Sequence, residues 1–123
     1  MEKPSILIVD DEDNIRAALV RWFTLRGFDV VEAIDGLDAV EKFKAGRFDV
    51  ISMDMEMPRM GGLEALVEIR TIDDDIPIVF VTGFPRDAQL ALDRGAAMVL
   101  HKPLHLRDLE EEVRGVMRFQ TEE

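Results

Sequence analysis

The chain has 123 residues, the size of one ordinary domain, and 47% of them are hydrophobic while 33% are charged. This balance excludes a disordered chain, and the apolar runs are too short to cross a bilayer. Acidic residues outnumber basic ones by 26 to 15, so direct binding to nucleic acid or to an anionic membrane is disfavoured. The N-terminus shows no signal-peptide pattern, and we expect a cytoplasmic protein.

Five short apolar or β-branched runs alternate with amphipathic stretches, which is typical of parallel strands joined by helical crossovers. The predicted strands are residues 5–10, 29–33, 49–54, 77–82 and 97–102. Three of them are nearly continuous apolar runs, as expected in a sheet that is covered on both faces.

Helices are predicted between these strands from apolar residues at spacings of three and four. The first carries its stripe from Ile15 to Phe23 and ends at Gly27. The others are predicted at residues 36–45, 63–72, 86–94 and 105–119. The pattern indicates one α/β domain over residues 1–123, with no internal linker and no output domain.

Four of the five predicted strands end in polar or ionisable residues, at the edge where open parallel sheets place their ligands. They are Asp10 and Asp11, Asp54, Thr82 and Lys102. We therefore expect the functional site at the carboxyl edge of the sheet.

Carboxylates that converge from different strands repel one another unless a cation lies among them. The chain has no cysteine, so oxygen ligands and Mg²⁺ (or Mn²⁺) fit best. We predict Asp11 and Asp54 as direct ligands and Asp10 as a ligand through water. Helix capping by Asp13 or Asn14 is the alternative, and it explains single residues but not the set.

Thr82 and Lys102 extend this set with a hydroxyl and an ammonium group. Lys102 could simply neutralise the acids, or it could hold a phosphoryl group as a point charge. A threonine at a strand end also has a propensity explanation. Without a glycine-rich nucleotide loop, the combination suggests that a carboxylate nucleophile takes a phosphoryl group directly.

Four motifs carry a resemblance to a known family. They are "ILIVDDE" with Asp10 and Asp11, "MDMEMPRMGG" with the pattern D-x-x-M-P-x-M-x-G on Asp54, "VTG" with Thr82, and "HKP" with Lys102. Over essentially its whole length the sequence resembles the receiver domain of two-component response regulators, of the chemotaxis-regulator type.

The resemblance implies a flavodoxin-like, doubly wound sheet of five parallel strands in the order 2-1-3-4-5, with five helices. It also implies that Asp54 is phosphorylated by a sensor histidine kinase or a histidine phosphotransfer protein. Thr82 and Lys102 would contact the phosphoryl group, and the backbone carbonyl of Glu56 would bind the metal. The Lys102-Pro103 bond is expected to be cis.

By the same resemblance, the chain is not an enzyme beyond its own phosphotransfer and autodephosphorylation. Its readout surface would consist of the fourth helix, the fifth strand and the fifth helix. Four arginines could decorate that surface: Arg86, Arg94, Arg107 and Arg114.

The sequence departs from the family where readout is concerned. Val99 stands where an aromatic ring usually couples to the strand-four threonine, and His101 shares its strand parity. Glu56 and Phe84 occupy the two positions that tune phosphoryl lifetime in related domains.

Two other readings remain open at this point. One is a receiver-like interaction module that does not switch. The other is an aspartate-nucleophile phosphatase of the haloacid dehalogenase type, because Asp11 and Asp13 form a D-x-D pair. By the resemblance, we expect a downstream protein target or a separate output domain as the partner that reads the signal.

Overall fold

The structure is a computed structural model that describes residues 3–121, with side chains as far as Met117. Within these residues, five strands form one sheet: β1 Ser5–Val9, β2 Asp29–Ala33, β3 Val50–Asp54, β4 Ile78–Thr82 and β5 Met98–His101. The helices are α1 Asp13–Leu25, α2 Gly36–Ala45, α3 Gly62–Ile72, α4 Ala88–Asp93 and α5 Leu106–Thr121. A short 3-10 helix, Pro85–Asp87, precedes α4.

Every strand pair is parallel and the spatial order is β2-β1-β3-β4-β5, which confirms the predicted topology. None of the described helices has the length and apolar character needed to cross a membrane.

Two polar residues that were predicted inside strands lie one residue beyond them. β1 ends at Val9 and β5 ends at His101, so Asp10 and Lys102 begin the following loops. Their backbone amides still extend the sheet, because Asp10 N donates to Ala33 O at 3.2 Å and Lys102 N donates to Thr82 O at 2.8 Å. Both side chains therefore start from a backbone that the sheet holds in place.

The sheet is covered on both faces, and each face has its own apolar core. Alternate residues of β1 point into different cores: Leu7 and Val9 join the cluster under α2, α3 and α4, whereas Ile6 and Ile8 join the cluster under α1 and α5. All four are at most 1% exposed. Burial on both faces explains why the central strands are apolar without a polar alternation.

Gly62, the first residue of α3, packs directly against the end of β3. A Cβ at this position would lie 2.8 Å from a ring carbon of Phe80, 2.9 Å from Met55 Cα and 3.0 Å from the Asp54 carbonyl oxygen. Only glycine allows α3 to start this close to the strand that carries Asp54.

We expect Gly62→Ala to lower the free energy of unfolding by about 1–3 kcal/mol, because the added methyl group overpacks a backbone contact. Gly115→Ala in α5 is the control, since its Cβ would meet no described atom within 4 Å. That change should stabilise the protein slightly through helix propensity. Urea unfolding of both variants tests this, and equal stabilities would contradict the close approach.

α1 and α5 are tied together by a buried carboxylate, Glu110, which is 5% exposed. It accepts hydrogen bonds from Trp22 Nε1 at 2.9 Å, Arg26 Nε at 3.0 Å and Arg114 Nε at 2.8 Å. Burial alone would raise the pKa of Glu110, but the hydrogen bonds from Arg114, Arg26 and Trp22 outweigh burial and lower that pKa.

Arg114 is therefore not part of the predicted readout surface. It also donates to the Arg26 carbonyl oxygen at 2.9 Å, and its guanidinium lies 4.7 Å from the centre of the Phe28 ring. The prediction for Arg114 was wrong, because α5 turns this residue toward α1. Arg86, Arg94 and Arg107 are exposed as predicted.

Removing Glu110 should leave three donors without their shared acceptor. We expect Glu110→Ala to lower the free energy of unfolding by about 2 kcal/mol at neutral pH. Because the folded pKa is lowered, this difference is full above the ordinary glutamate pKa and disappears as the pH falls through the folded value. Urea unfolding followed by Trp22 fluorescence measures it, with exposed Glu111→Ala as the control.

Candidate functional site

Three aspartates meet at the carboxyl edge of the sheet. Asp10 and Asp11 follow β1 and Asp54 ends β3, and one carboxylate oxygen from each lies within 4.8 Å of the others. Asp10 and Asp54 are 5% and 4% exposed, and Asp11 is half-buried. A set of hard oxygen donors open on one side suits a divalent cation such as Mg²⁺.

Asp54 is destabilised as an anion by its surroundings. Burial is the main cause, the negative charge of Asp10 adds to it, and together they raise the pKa of Asp54 to about 6 despite the hydrogen bond from Lys102. Burial also raises the pKa of Asp10, although Glu12 N donates to its Oδ1 at 2.9 Å. A bound cation would relieve both carboxylates.

Lys102 provides the positive charge of the site. Its Nζ donates to Asp54 Oδ1 at 3.1 Å. Burial opposes the charge on the ammonium, but the hydrogen bond and charge of Asp54, with the charges of Asp10 and Glu56, raise the pKa of Lys102. The ion pair with Asp54 therefore keeps Lys102 charged. One ammonium group does not fully offset the cost of burying the charged Asp54 carboxylate, so the pKa of Asp54 stays raised.

The Thr82 hydroxyl is fully buried and is joined to Glu56, not to Asp54. Thr82 Oγ1 donates to the Glu56 carboxylate, and Gly83 N donates to Glu56 Oε1 at 3.2 Å. Phe84 N in turn donates to Thr82 Oγ1 at 3.0 Å. The sequence placed Glu56 in the site through its backbone carbonyl and missed this role of its side chain.

The loop between β3 and α3 is held from the side of α2 by contacts that the sequence did not reveal. Asp35 is 2% exposed, caps α2 by accepting from Asp38 N at 2.9 Å, and forms an ion pair with Arg59. Arg59 has a positive φ of 66°. Gly36 N also donates to Met60 O at 3.0 Å. The one available signal was an aspartate just before a predicted helix, which indicates a cap but not an arginine partner.

Other sequence predictions have clear positions in the structure. Val99 is half-buried against the α2–α4 core, and His101 is exposed. The Lys102-Pro103 bond is cis. The Asp13 side chain is 87% exposed and pairs with Arg16, so it does not complete a D-x-D site with Asp11.

The comparisons with known proteins identify the family and the fold of the chain. The family described as response regulator receiver domain matches residues 6–114. The chain belongs to this family. This family is not that of the haloacid dehalogenase phosphatases, so the chain is not assigned to the phosphatase class.

Curated relatives of this receiver domain include transcriptional regulators. The transcriptional regulatory protein PrrA of Mycobacterium tuberculosis is 32% identical over 117 residues, which are 94% of this chain and 50% of the relative. The response regulator MprA of Mycobacterium ulcerans is 36% identical over 115 residues, covering 92% of this chain and 50% of the relative. The chain thus spans about half the length of these relatives.

Solved structures show the same fold. A CheY-like receiver domain protein from Methanospirillum hungatei superposes with a TM-score of 0.93 at 25% identity, covering 98% of both chains. The response regulator TrrA of Thermotoga maritima, solved in complex with Mg²⁺ and BeF, has a TM-score of 0.84 at 32% identity, covering 92% of this chain and 98% of TrrA.

The raised pKa of Asp54 predicts a stability effect with a defined sign. The folded protein favours the neutral form of Asp54. The charged carboxylate therefore lowers the free energy of unfolding, by nothing below the ordinary aspartate pKa and by its full amount above about pH 6. With a chelator present, Asp54→Asn should raise the free energy of unfolding at neutral pH by about 1–3 kcal/mol.

Urea unfolding at several pH values measures this gain, which should shrink as the pH falls below about 6. Asp29→Asn, at an exposed position on β2, removes the same charge and serves as the control. A gain of the same size for both variants, or no gain at neutral pH, would contradict the burial effect.

Proposed function

We propose that this receiver domain is a phosphoacceptor switch in which Asp54 takes a phosphoryl group from a phosphohistidine donor. The observation that carries the proposal is a buried Asp54 carboxylate beside the carboxylates of Asp10 and Asp11. Its Oδ1 accepts a hydrogen bond from Lys102 Nζ at 3.1 Å. The donor would be a sensor histidine kinase or a histidine phosphotransfer protein, and small phosphodonors could replace it.

In the transfer, an Asp54 carboxylate oxygen attacks phosphorus as the bond from phosphorus to the donor's imidazole nitrogen breaks. The electron pair of that bond leaves with the imidazole, and an acyl phosphate forms on Asp54. Lys102 neutralises charge on the phosphoryl oxygens, for which its position beside Asp54 is suitable.

Asp11, Asp54 and the Glu56 carbonyl would hold Mg²⁺ (or Mn²⁺), with Asp10 acting through water. The ion would supply positive charge between the carboxylates and the phosphoryl oxygens. The donor set supports this assignment, because it consists of clustered carboxylates that destabilise one another when empty of a cation.

Phosphorylation would change the surface formed by α4, β5 and α5, and the change would be read by a protein partner or by an output domain. Arg107 of α5 is exposed there, as are Leu90 and Leu92 of α4, which are 40% and 42% exposed, and the exposed Arg86 and Arg94 flank α4. Beyond this transfer and the later hydrolysis, we propose no catalytic activity on other substrates.

Val99 favours one competing function, an interaction module that is phosphorylated without switching. In related domains, the rotation of an aromatic ring at this position is coupled to the strand-four threonine. Val99 has no ring, so this coupling to Thr82 is not available. Amide exchange separates the two proposals, because only a switch changes exchange over residues 83–105 after phosphorylation.

Acetyl phosphate and Mg²⁺ should add one phosphoryl group to the wild-type chain, as measured by intact mass. Asp54→Asn should abolish the gain, and a chelator should suppress it in the wild type because the carboxylates then lack their cation. Borohydride trapping followed by mass spectrometry should locate the acyl phosphate at Asp54. Labelling at Asp11, or an unchanged gain in Asp54→Asn, would overturn the proposal.

A further inference from the structure

The Glu56 side chain is hydrogen-bonded to the end of β4, next to the acceptor aspartate. Its two carboxylate oxygens accept from the Thr82 hydroxyl and from Gly83 N, the latter at 3.2 Å. The Glu56 amide at the same time donates to Asp54 Oδ1 at 3.3 Å. One residue thus connects the acceptor aspartate to the end of β4.

The Thr82 hydroxyl cannot serve Glu56 and a phosphoryl group together. A hydroxyl carries a single proton and donates one hydrogen bond. Thr82 is fully buried, and besides Glu56 the hydroxyl has the Phe84 carbonyl oxygen within reach, at a longer 3.5 Å. A carboxylate and a phosphoryl group in adjacent positions also repel each other, and both would compete for the charge of Lys102.

We propose that the Glu56 carboxylate is a latch, which holds Thr82 and Gly83 in the unphosphorylated chain and is displaced when Asp54 carries a phosphoryl group. The proposal rests on the proposed function, since the phosphoryl group is the competitor. Glu56 acts through Thr82 and is a positioning residue, not a catalytic one.

The latch gives a route to the readout surface that needs no aromatic ring at position 99. Thr82 Oγ1 also accepts from Phe84 N at 3.0 Å, so a rotation of the Thr82 side chain that carries Oγ1 toward the phosphoryl group would break that hydrogen bond. Loss of the Glu56 and Thr82 contacts frees the backbone of Gly83 and Phe84. Phe84, 50% exposed, leads directly into the 3-10 helix and α4.

Glu56→Asp is the decisive variant, because it keeps the negative charge and shortens the side chain by one methylene group. Glu56→Ala removes both charge and reach. Glu68→Asp makes the same shortening at an exposed position on α3 and is the matched control.

The first measurement is amide exchange at Gly83 and Phe84 in the unphosphorylated, metal-free chain. Glu56→Asp and Glu56→Ala should both accelerate it, while Glu68→Asp should leave it unchanged. The second is affinity for beryllofluoride with Mg²⁺, which both Glu56 variants should raise about tenfold, the equivalent of one charge-assisted hydrogen bond.

The outcomes distinguish the latch from the function on which it rests. Wild-type exchange and affinity in Glu56→Asp, with beryllofluoride bound normally, would overturn the latch alone and leave only a charge effect in Glu56→Ala. A wild-type chain that binds no beryllofluoride would overturn the proposed function and the displacement with it.

Discussion

The ion pair between Asp54 and Lys102 is the interaction on which the site depends. A carboxylate that is 4% exposed would be strongly destabilised in the sheet without a nearby cation. Lys102 reaches it because the Lys102 amide extends the ladder from Thr82 and starts the side chain at the carboxyl edge. The compensation is incomplete, so the Asp54 carboxylate stays destabilised, and a divalent cation beside it would stabilise the charged form further.

Much of the fold follows from pattern alone. The nearly continuous apolar strands predict a sheet buried on both faces, and the two separate cores are the physical reason for that pattern. The predicted ends of β1 and β5 were one residue too late, at Asp10 and Lys102. The backbone amides of these two residues still hydrogen-bond to the neighbouring strand, although the regular strands end before them. The positions of Asp10, Asp11 and Asp54 were predictable because parallel strands deliver their ends to one edge.

Long-range side-chain partners could not be predicted in the same way. Three side-chain contacts join residues that are far apart in the sequence. Glu110 and Arg26 are 84 positions apart, Asp35 and Arg59 are 24 positions apart, and Glu56 and Thr82 are 26 positions apart. Periodicity identifies the face on which a residue lies, but not which charged neighbour it meets there. For that reason Arg114 was placed on the wrong surface, and the Glu56 side chain was assigned no contact.

The loop between β3 and α3 is anchored by different contacts on its two sides. Toward α2, the loop is anchored by the ion pair of Arg59 with the buried Asp35 carboxylate and by a backbone hydrogen bond from Gly36 to Met60. Toward β4, Met55 N donates to Val81 O at 3.0 Å, and the one side chain that joins the loop to the strand end is Glu56, through the Thr82 hydroxyl and Gly83 N. Displacing the Glu56 carboxylate would therefore loosen the loop beside β4, while its contacts with Asp35 and Gly36 would persist.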